Sequence, residues 1–192
     1  MSRLNEVDHT AIVRASSIGP RAQVGAFSQV QSGAEVRNGA RIGRYCAIDI
    51  GAVIGENAIV HDYVEVPEGV TVEEAAVIGP HVTFADGHAT HSEGRTLIGQ
   101  GAWIGAGAVV SRGITVGRYA RVAPGSVVVQ DVAEYAHIVG QAGHQDGWVC
   151  VCGKALNLPA QGDKHATCSC GRSYRLLGDQ ISKYTRIGEG EG

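Results

Sequence analysis

The chain has 192 residues, of which 28 are glycine, and a formal net charge of −3 at pH 7. A hydrophobic content of 44% with 18% charged residues can form a buried core and excludes a disordered chain. The small negative charge argues against nucleic acid or another polyanion as the main partner. With only two phenylalanines and one methionine, the interior must be built from small and branched side chains.

The first part of the chain shows no targeting signal. Residues 1–9 are interpreted as a lead-in without a hydrophobic signal region. No apolar run approaches the roughly 18 residues that a bilayer span needs. We therefore expect a cytoplasmic protein without a membrane span.

Branched aliphatic residues recur at every sixth position along most of the chain. The first series is Ile12, Ile18, Val24, Val30, Val36, Ile42, Ile48, Ile54, Val60, Val66, Val72 and Ile78, continued by Phe84, and the second is Ile98, Ile104, Val110, Val116, Val122 and Val128. Small residues often stand two positions before the aliphatic residue, and glycine often follows it. This period fits neither an amphipathic helix nor a long strand.

The repeat predicts a solenoid of short strands and tight corners. Three hexapeptides would close one triangular coil, with the aliphatic side chains stacked inside. We expect the glycines to occupy corner positions because glycine tolerates backbone angles that other residues resist. A β-sandwich of short strands is the alternative, but sandwiches do not hold one register over so many repeats.

Over roughly residues 10–130 this pattern resembles the hexapeptide-repeat, left-handed parallel β-helix family. The resemblance implies a mainly β fold, a left-handed parallel β-helix solenoid of about six coils, with coils at 10–84 and 98–130. The left hand comes from the resemblance alone, since the usual connection rule favours the other hand. The fold hosts several kinds of acyltransferase and one class of carbonic anhydrase, so it does not define a function.

A polar, glycine-rich segment interrupts the period between the two series. We interpret residues 85–97 as an extended loop that leaves a corner of the coil. This loop concentrates titratable side chains, among them Asp86, His88 and His91. Because loops on rigid scaffolds often carry function, we expect an active-site loop. A tolerated surface insertion is the alternative.

The sequence changes character after the last coil. Residues 131–146 predict a segment that caps the open end of the solenoid, because exposed strand edges pair with other chains. Residues 147–178 predict a small zinc-ribbon-like module, and residues 179–192 a tail. The module contains two Cys-x-Cys-Gly knuckles.

Four thiolates of these knuckles suit a tetrahedral structural Zn²⁺, and a tiny module with little core needs such a constraint. The candidate ligands are Cys150, Cys152, Cys168 and Cys170. One residue rather than the usual two separates each pair, so disulfides and free thiols remain alternatives. Cys46 stands at an inward small position and is interpreted as a core filler.

Several stretches resemble bacterial nucleotide-sugar N-acetyltransferases. Residues 77–86 resemble the run that leads into an Asn-Asp pair in that family, residues 111–117 and 123–128 resemble its later coils, and residues 138–142 are similar to its closing Val-Val-Gly-Asn-Pro. The resemblance implies transfer of an acetyl group from acetyl-CoA to the amino group of a nucleotide-linked sugar, in a trimer with sites between subunits. Here Asp86 and Gly87 stand where the family has Asn and Asp. The sugar pocket therefore differs, or the acceptor is not a nucleotide sugar.

The reaction needs a group that accepts a proton, because an amine attacks a thioester as the neutral base. The candidate catalytic residues are Asp86, His88, His91 and His81. In the resembled family the asparagine binds the acceptor amine and the departing sulfur of CoA can take the proton. Each of these histidines could equally be a solvated loop side chain.

Binding of CoA needs positive charge for its phosphates. Arg112, Arg118 and Arg121 follow the loop, and arginine suits phosphate oxygens. Simple solubility is the alternative for these charges. By analogy with the resembled family, the backbone around Ala106, Gly107 and Ala123 would contact the pantetheine amides.

Three other functions are alternatives to N-acyl transfer. An O-acetyltransferase of the same fold would need a stronger base. A γ-type zinc carbonic anhydrase needs three histidines around an open zinc site, and His81, His88 and His91 do not show that family's spacing. A non-catalytic scaffold would use the cysteine module for docking.

Overall fold

A computed structural model of the chain describes residues 6–14, 17–85 and 94–184. The mainly β, solenoidal fold predicted from the repeat is confirmed: short parallel strands stack on three faces of a prism. The described residues make about seven turns rather than the predicted six or so. The additional turn arises because the structure pairs strands at both ends of the repeat, at Glu6–Val7 and at Ala136–Val139.

Each face is a ladder of strands in register. The first face contains β1 (Glu6–Val7), β4 (Gln23–Val24), β7 (Arg41–Ile42), β10 (Ile59–Val60), β13 (Val77–Ile78), β16 (Trp103–Ile104), β19 (Arg121–Val122) and β21 (Ala136–Val139). The second contains β2 (Ile12–Val13), β5 (Gln29–Val30), β8 (Ala47–Ile48) and β11 (Glu65–Val66), then β14 (Thr83–Ala85), β17 (Val109–Ser111) and β20 (Val127–Val128). The third contains β3 (Ser17–Ile18), β6 (Glu35–Val36), β9 (Val53–Ile54), β12 (Val70–Val72), β15 (Thr96–Ile98) and β18 (Thr115–Val116).

The aliphatic residues of the repeat form the core of the prism. Ile54 pairs with Val36 below it and Val72 above it, and all three side chains are 0% exposed. The small residues two positions earlier, such as Ala52, are equally buried. Branched side chains suit these strands because they pack densely on a pleated surface.

The repeat begins one position later than the spacing of six predicts. The structure pairs Val13 with Val30 and Ile12 with Gln29, so paired residues are 17 apart here instead of 18. Ile12 was expected to face inward, which is wrong: it is 47% exposed, whereas Val13 packs against the core. One residue fewer in the first coil reverses which side chain of a strand faces inward, because neighbouring side chains alternate.

The glycines that follow the aliphatic residues are required by space and not by backbone angle. A Cβ atom on Gly25 would lie 2.5 Å from the carbonyl oxygen of Gly43, and one on Gly105 would lie 2.5 Å from the nitrogen of Pro124. The expectation of unusual angles at these positions is therefore wrong. The left-handed backbone occurs two residues later, for example at Phe27 with φ 59°.

The predicted interruption of the repeat is an enlargement of one coil. Ile78 pairs with Ile104 and Val72 pairs with Ile98, so partners are 26 residues apart instead of 18. Strand β14 ends at Ala85 and β15 begins at Thr96. The strands before and after the enlargement keep the same inward and outward phase.

After the last coil the chain reverses direction and forms a small antiparallel unit. Strand β22 (His144–Val149) runs antiparallel to β21 and is followed by β23 (Ala155–Leu156). A separate three-stranded sheet comprises β24 (Gly162–Thr167), β25 (Ser173–Gly178) and β26 (Gln180–Tyr184). In the described part of the chain, no helix has the length and apolar character needed to cross a membrane.

Candidate functional site

Four rings from successive coils stack in one column along a corner of the prism. They belong to Phe27, Tyr45, Tyr63 and His81, with centroids 5.0, 5.1 and 4.9 Å apart. Each residue has a left-handed backbone, with φ between 54° and 60°. The spacing of 18 residues places them at the same corner. We call these residues the ring column, and its last member is the predicted site residue His81.

The column ends at His81 because glycine occupies the same corner position in the next coils. The pairing of Ile78 with Ile104 aligns His81 with Gly107, and the next coil places Gly125 there. A Cβ atom on either glycine would meet no other atom within 4 Å. The corner therefore changes from stacked rings to bare backbone with open space above His81, which we call the open corner.

Backbone groups of the open corner are largely engaged in holding the coils together. The N–H of Gly107 donates to Pro80 O over 2.9 Å, and that of Ala123 donates to Ile138 O over 2.8 Å. The carbonyl of Ala106 accepts from the N–H of Gly125 over 2.9 Å. What these predicted residues offer a ligand is mainly space along the corner.

Next to the ring column lies an acidic cavity of about 510 Å³ on the second face. The lining consists of Asp49, Tyr63, Glu65, Pro67, Glu68, Val82, Thr83, Phe84 and Arg112. Three carboxylates against one guanidinium favour a cationic ligand over an anionic one. Since Thr83 and Phe84 belong to β14, the cavity adjoins the start of the predicted loop.

The predicted loop residues Asp86, His88 and His91 lie outside the residues that the structure describes. Arg112 lies at the base of that loop, because its backbone N–H donates to Ala85 O over 2.8 Å. The Nη2 atom of Arg112 donates to Glu68 O over 2.9 Å. If Arg112 binds a phosphate as predicted, it does so beside the three carboxylates of this cavity, which repel an anion.

The other two predicted phosphate-binding arginines contact groups of the protein itself. Arg118 forms two hydrogen bonds to the carboxylate of Glu134, at 3.0 and 3.2 Å. Arg121 lies over the indole ring of Trp103, with Cζ 5.7 Å from the ring centroid. Any phosphate would compete with these contacts, so the role of both residues stays a prediction.

The four cysteines of the knuckles converge as predicted from their spacing. Their Sγ atoms all lie within 4.8 Å of one another, with 3.4 Å between Cys150 and Cys170 and 3.7 Å between Cys152 and Cys168. A disulfide needs about 2.05 Å, and none of the five cysteines forms one. Ligands about 2.3 Å from a tetrahedral zinc ion lie about 3.8 Å from one another, which fits the cluster.

The two knuckles have the same backbone geometry. Gly153 donates to Cys150 O over 2.7 Å with φ 86°, and Gly171 donates to Cys168 O over 2.8 Å with φ 87°. Glycine is needed here because the left-handed backbone closes each turn. Such paired turns are typical of a structural site that presents two thiols from each side.

Polar hydrogens point at the sulfur atoms of the cluster. The hydroxyl of Tyr174 donates to Cys150 Sγ over 3.2 Å, and Nη1 of Arg172 donates to Cys170 Sγ over 3.3 Å. The backbone N–H and the guanidinium of Arg172 lower the pKa of Cys170 to about 6. Burial raises the pKa of Cys150. These donors suit thiolates, because a bound metal keeps its ligands deprotonated and hydrogen-bonded.

Cys46 is separate from the cluster and lies in the core of the prism. It is 2% exposed, and its thiol donates to His61 O over 3.0 Å. Burial raises the pKa of this thiol, which makes it an unreactive one. Within the described ranges, the cysteine cluster alone brings together three or more side chains able to ligate a metal.

Sequence reasoning did not find the ring column, Gly125 or the acidic cavity. The signal for the column was present, because Phe27, Tyr45, Tyr63 and His81 are 18 residues apart. The third residue after an aliphatic residue was considered only at His81, and the aromatic residues at the equivalent position of the earlier coils were not connected with it. The carboxylates of the cavity come from separate coils, and their convergence needs the register of the second face.

The comparisons with known proteins agree with this geometry. Residues 51–86 and 95–130 match the bacterial transferase hexapeptide family model, which describes six repeats. The coils within these two ranges are therefore similar to bacterial transferase hexapeptide repeats.

A dTDP-3-amino-3,6-dideoxy-α-D-galactopyranose 3-N-acetyltransferase from Aneurinibacillus thermoaerophilus is 38% identical over 92 residues, which are 48% of this chain and 46% of that protein. A crystal structure of a variant of GDP-perosamine N-acetyltransferase from Caulobacter crescentus, in complex with CoA and GDP-perosamine, aligns at 25% identity with a TM-score of 0.51. That alignment covers 76% of this chain and 58% of the other. The chain thus spans less than two thirds of the length of either relative.

Proposed function

We propose that the protein is an acyl-CoA-dependent N-acyltransferase that acetylates the amino group of an amino sugar, linked to a nucleotide. The observation that carries this proposal is the open corner at Gly107 and Gly125, directly above His81, in coils that match bacterial transferase hexapeptide repeats. Both relatives are named as N-acetyltransferases of nucleotide-linked amino sugars, and one was crystallised with CoA. Acetyl-CoA is accordingly the proposed cosubstrate.

The open corner supplies a path for the donor. An extended pantetheine chain needs a groove free of large side chains, and Gly107 and Gly125 leave such space at this corner. The groove ends at the exposed ring of His81. A thioester lying along this corner would therefore reach the imidazole and the start of the predicted loop.

The acidic cavity suits the acceptor. An amino sugar reaches the enzyme largely as an ammonium ion, and Asp49, Glu65 and Glu68 would attract that charge. The ammonium ion first releases one proton to solvent. The neutral nitrogen then bonds to the acyl carbon as the carbon–sulfur bond breaks, and the second proton that it loses passes through an acceptor to the departing CoA sulfur. His81 is the proposed proton acceptor among the described residues, and Asp86, His88 and His91 are the proposed candidates from the loop.

Three further features belong to the same proposal. We place a structural Zn²⁺ at Cys150, Cys152, Cys168 and Cys170, because the sulfur distances fit a tetrahedral ion. A cytoplasmic location agrees with five cysteines that form no disulfide. A homotrimer agrees with the exposed rings of Phe27, Tyr45 and Tyr63 along one corner, which a neighbouring subunit would cover.

A panel of nucleotide-linked amino sugars with acetyl-CoA tests the activity. Release of CoA thiol should require the amine, and the matched nucleotide sugars with a hydroxyl in place of the amine should release none. Release from the hydroxyl sugars alone would establish O-acyl transfer instead. Absence of both thiol release and acetyl-CoA binding in calorimetry would overturn the proposal. Sedimentation should give a trimer, and a monomer would contradict a site between subunits.

A further inference from the structure

The closing end of the prism is continuous with the cysteine module. Strand β21 pairs in parallel with β19, and β22 then runs back antiparallel beside β21, with Ala136 opposite Trp148. The N–H of Val149 donates to Tyr135 O over 2.8 Å. Trp148 is 1% exposed. The first knuckle therefore leaves directly from the strand that covers the last coil.

A row of aromatic rings joins the corner of the last coils to the cluster. Tyr119 stacks on Tyr135 at 5.4 Å between centroids, and Tyr135 meets the edge of Tyr174 at 5.7 Å. Tyr174 is 0% exposed, and its hydroxyl donates to Cys150 Sγ over 3.2 Å. The same hydroxyl accepts from the N–H of Val151 over 3.1 Å. Displacement of Cys150 Sγ would therefore disturb the contact between Tyr174 and Tyr135.

Arg121 links the solenoid to the first knuckle. A Cβ atom on Gly153 would lie 2.8 Å from Nη2 of Arg121, so the guanidinium packs directly on the backbone of this turn. The guanidinium of Arg121 also lies over the ring of Trp103, which belongs to the coil below. Burial lowers the pKa of Arg121, and the charge of Cys152 opposes that shift. The guanidinium is thus held between the coils and the backbone of the first knuckle.

The charge of the proposed centre explains these contacts. A Zn²⁺ ion with four thiolates keeps a net charge of about −2, which a nearby cation stabilises. Arg172 is the cation within the module, through its hydrogen bond to Cys170. Arg121 is the cation that the solenoid contributes. Because one cation comes from the module and the other from the solenoid, the charge of the centre stabilises the contact between these two parts of the fold.

We infer that the cysteine cluster, with zinc bound as proposed, is a clasp that holds the last coils of the solenoid closed, and that Arg121 is its counter-charge. This inference rests on the proposed zinc ion. The zinc centre then stabilises the coils that form the open corner as well as its own module. Zinc affinity and the order of the last coils are therefore linked.

Hydrogen exchange on the full-length protein tests the clasp. Metal analysis should first give about one zinc per chain, and its absence would remove the zinc proposal itself. After zinc removal by a chelator under reducing conditions, amides in residues 100–122 should exchange at least about tenfold faster, because the coils would open locally more often. Amides in residues 29–48 should not change. Zinc present with unchanged exchange in 100–122 would overturn the clasp and leave the zinc proposal standing.

A matched pair of variants tests the counter-charge. Arg121→Gln should weaken zinc binding about 10- to 100-fold, the range for loss of a group around a metal centre. Arg41→Gln removes an exposed arginine from the same face four coils away and should leave zinc affinity unchanged. Arg121→Lys keeps the charge and should recover most of the affinity. Equal zinc affinity in Arg121→Gln and Arg41→Gln would show that Arg121 is not the counter-charge.

Discussion

The imidazole ring of His81 lies on the phenol ring of Tyr63, with centroids 4.9 Å apart and planes 4° apart. The opposite face of the imidazole looks toward a coil in which Gly107 occupies the corner. One face of His81 is therefore supported by a side chain, and the other is left to a ligand.

Replacement of Tyr63 should lower turnover without removing the donor site. Tyr63→Leu loses a stacked pair worth about 0.5–1.5 kcal/mol, so kcat should fall by up to about tenfold as His81 leaves its orientation. The KM for acetyl-CoA should change little. Tyr63→Phe keeps the stack and should restore kcat, and Tyr45→Leu, one ring further away, serves as control. A kcat equal to wild type in Tyr63→Leu would show that the stack does not position His81.

Filling the open corner should block the donor. Gly107→Tyr would add one more ring to the column, on a backbone angle that Tyr45 and Tyr63 already adopt. Calorimetry should show acetyl-CoA affinity lowered by at least about tenfold, because the ring occupies the proposed groove. Gly51→Tyr, at another turn with φ 73°, is the matched control and should bind acetyl-CoA normally. Normal binding by Gly107→Tyr would place the donor elsewhere.

The acidic cavity should determine affinity for the acceptor amine. Glu65→Gln removes one of three carboxylates from the lining and should raise the KM for the amino sugar several-fold, since charge attraction at a partly exposed site is worth about 1 kcal/mol. The Kd of acetyl-CoA should stay the same. Glu56→Gln is the control, because Glu56 does not belong to this lining. An unchanged KM for the amine would exclude the cavity as the acceptor site.

Core truncation should cost much more than truncation on the outside of the same strand. Ile54 is fully buried between Val36 and Val72, so Ile54→Ala should lower the free energy of unfolding by about 2–5 kcal/mol. Val53 precedes it in β9 and is only partly buried, so Val53→Ala should cost less than half as much. Urea denaturation measures both. Equal losses would contradict the assignment of inward and outward positions.

Loss of one cysteine should remove the metal and destabilise the module. Cys150→Ser takes away a buried proposed ligand whose sulfur also accepts from Tyr174, so metal analysis should show zinc lost and thermal unfolding should begin several degrees lower. Ser169→Ala changes the neighbouring knuckle without touching a ligand and should keep the zinc. Full zinc content in Cys150→Ser would rule out a four-cysteine site.

The interior of the prism was predictable from the sequence because a single physical requirement sets it. From Val24 to Val128, every sixth residue outside the enlarged coil must fill the same buried position, and the spacing alone reveals it. Ile12 shows the limit of this reasoning. A coil shorter by one residue reverses the phase of its strand, and both Ile12 and Val13 are apolar, so composition does not distinguish them.

The surroundings of the candidate site were less predictable because they depend on which coils meet. The convergence of four cysteines followed from their spacing, and the structure agrees. The partners of Arg118 and Arg121 did not follow. Glu134 meets Arg118 from the next turn of the chain, 16 residues later instead of 18, and Gly153 comes near Arg121 only after the chain reverses direction at β22. The role of glycine was misjudged for a related reason: Gly25 is constrained by Gly43 in the next coil and not by its own neighbours.

The enlarged coil makes the length of the segment after Ala85 independent of the stacking of the coils. Because Ile78 still aligns with Ile104 and Val72 with Ile98 across the extra residues, the length of the segment after Ala85 can vary without shifting any stacked pair. The entropy cost of a longer segment grows only with the logarithm of its length. A lineage can therefore revise this segment by insertion or deletion while inheriting an unaltered framework.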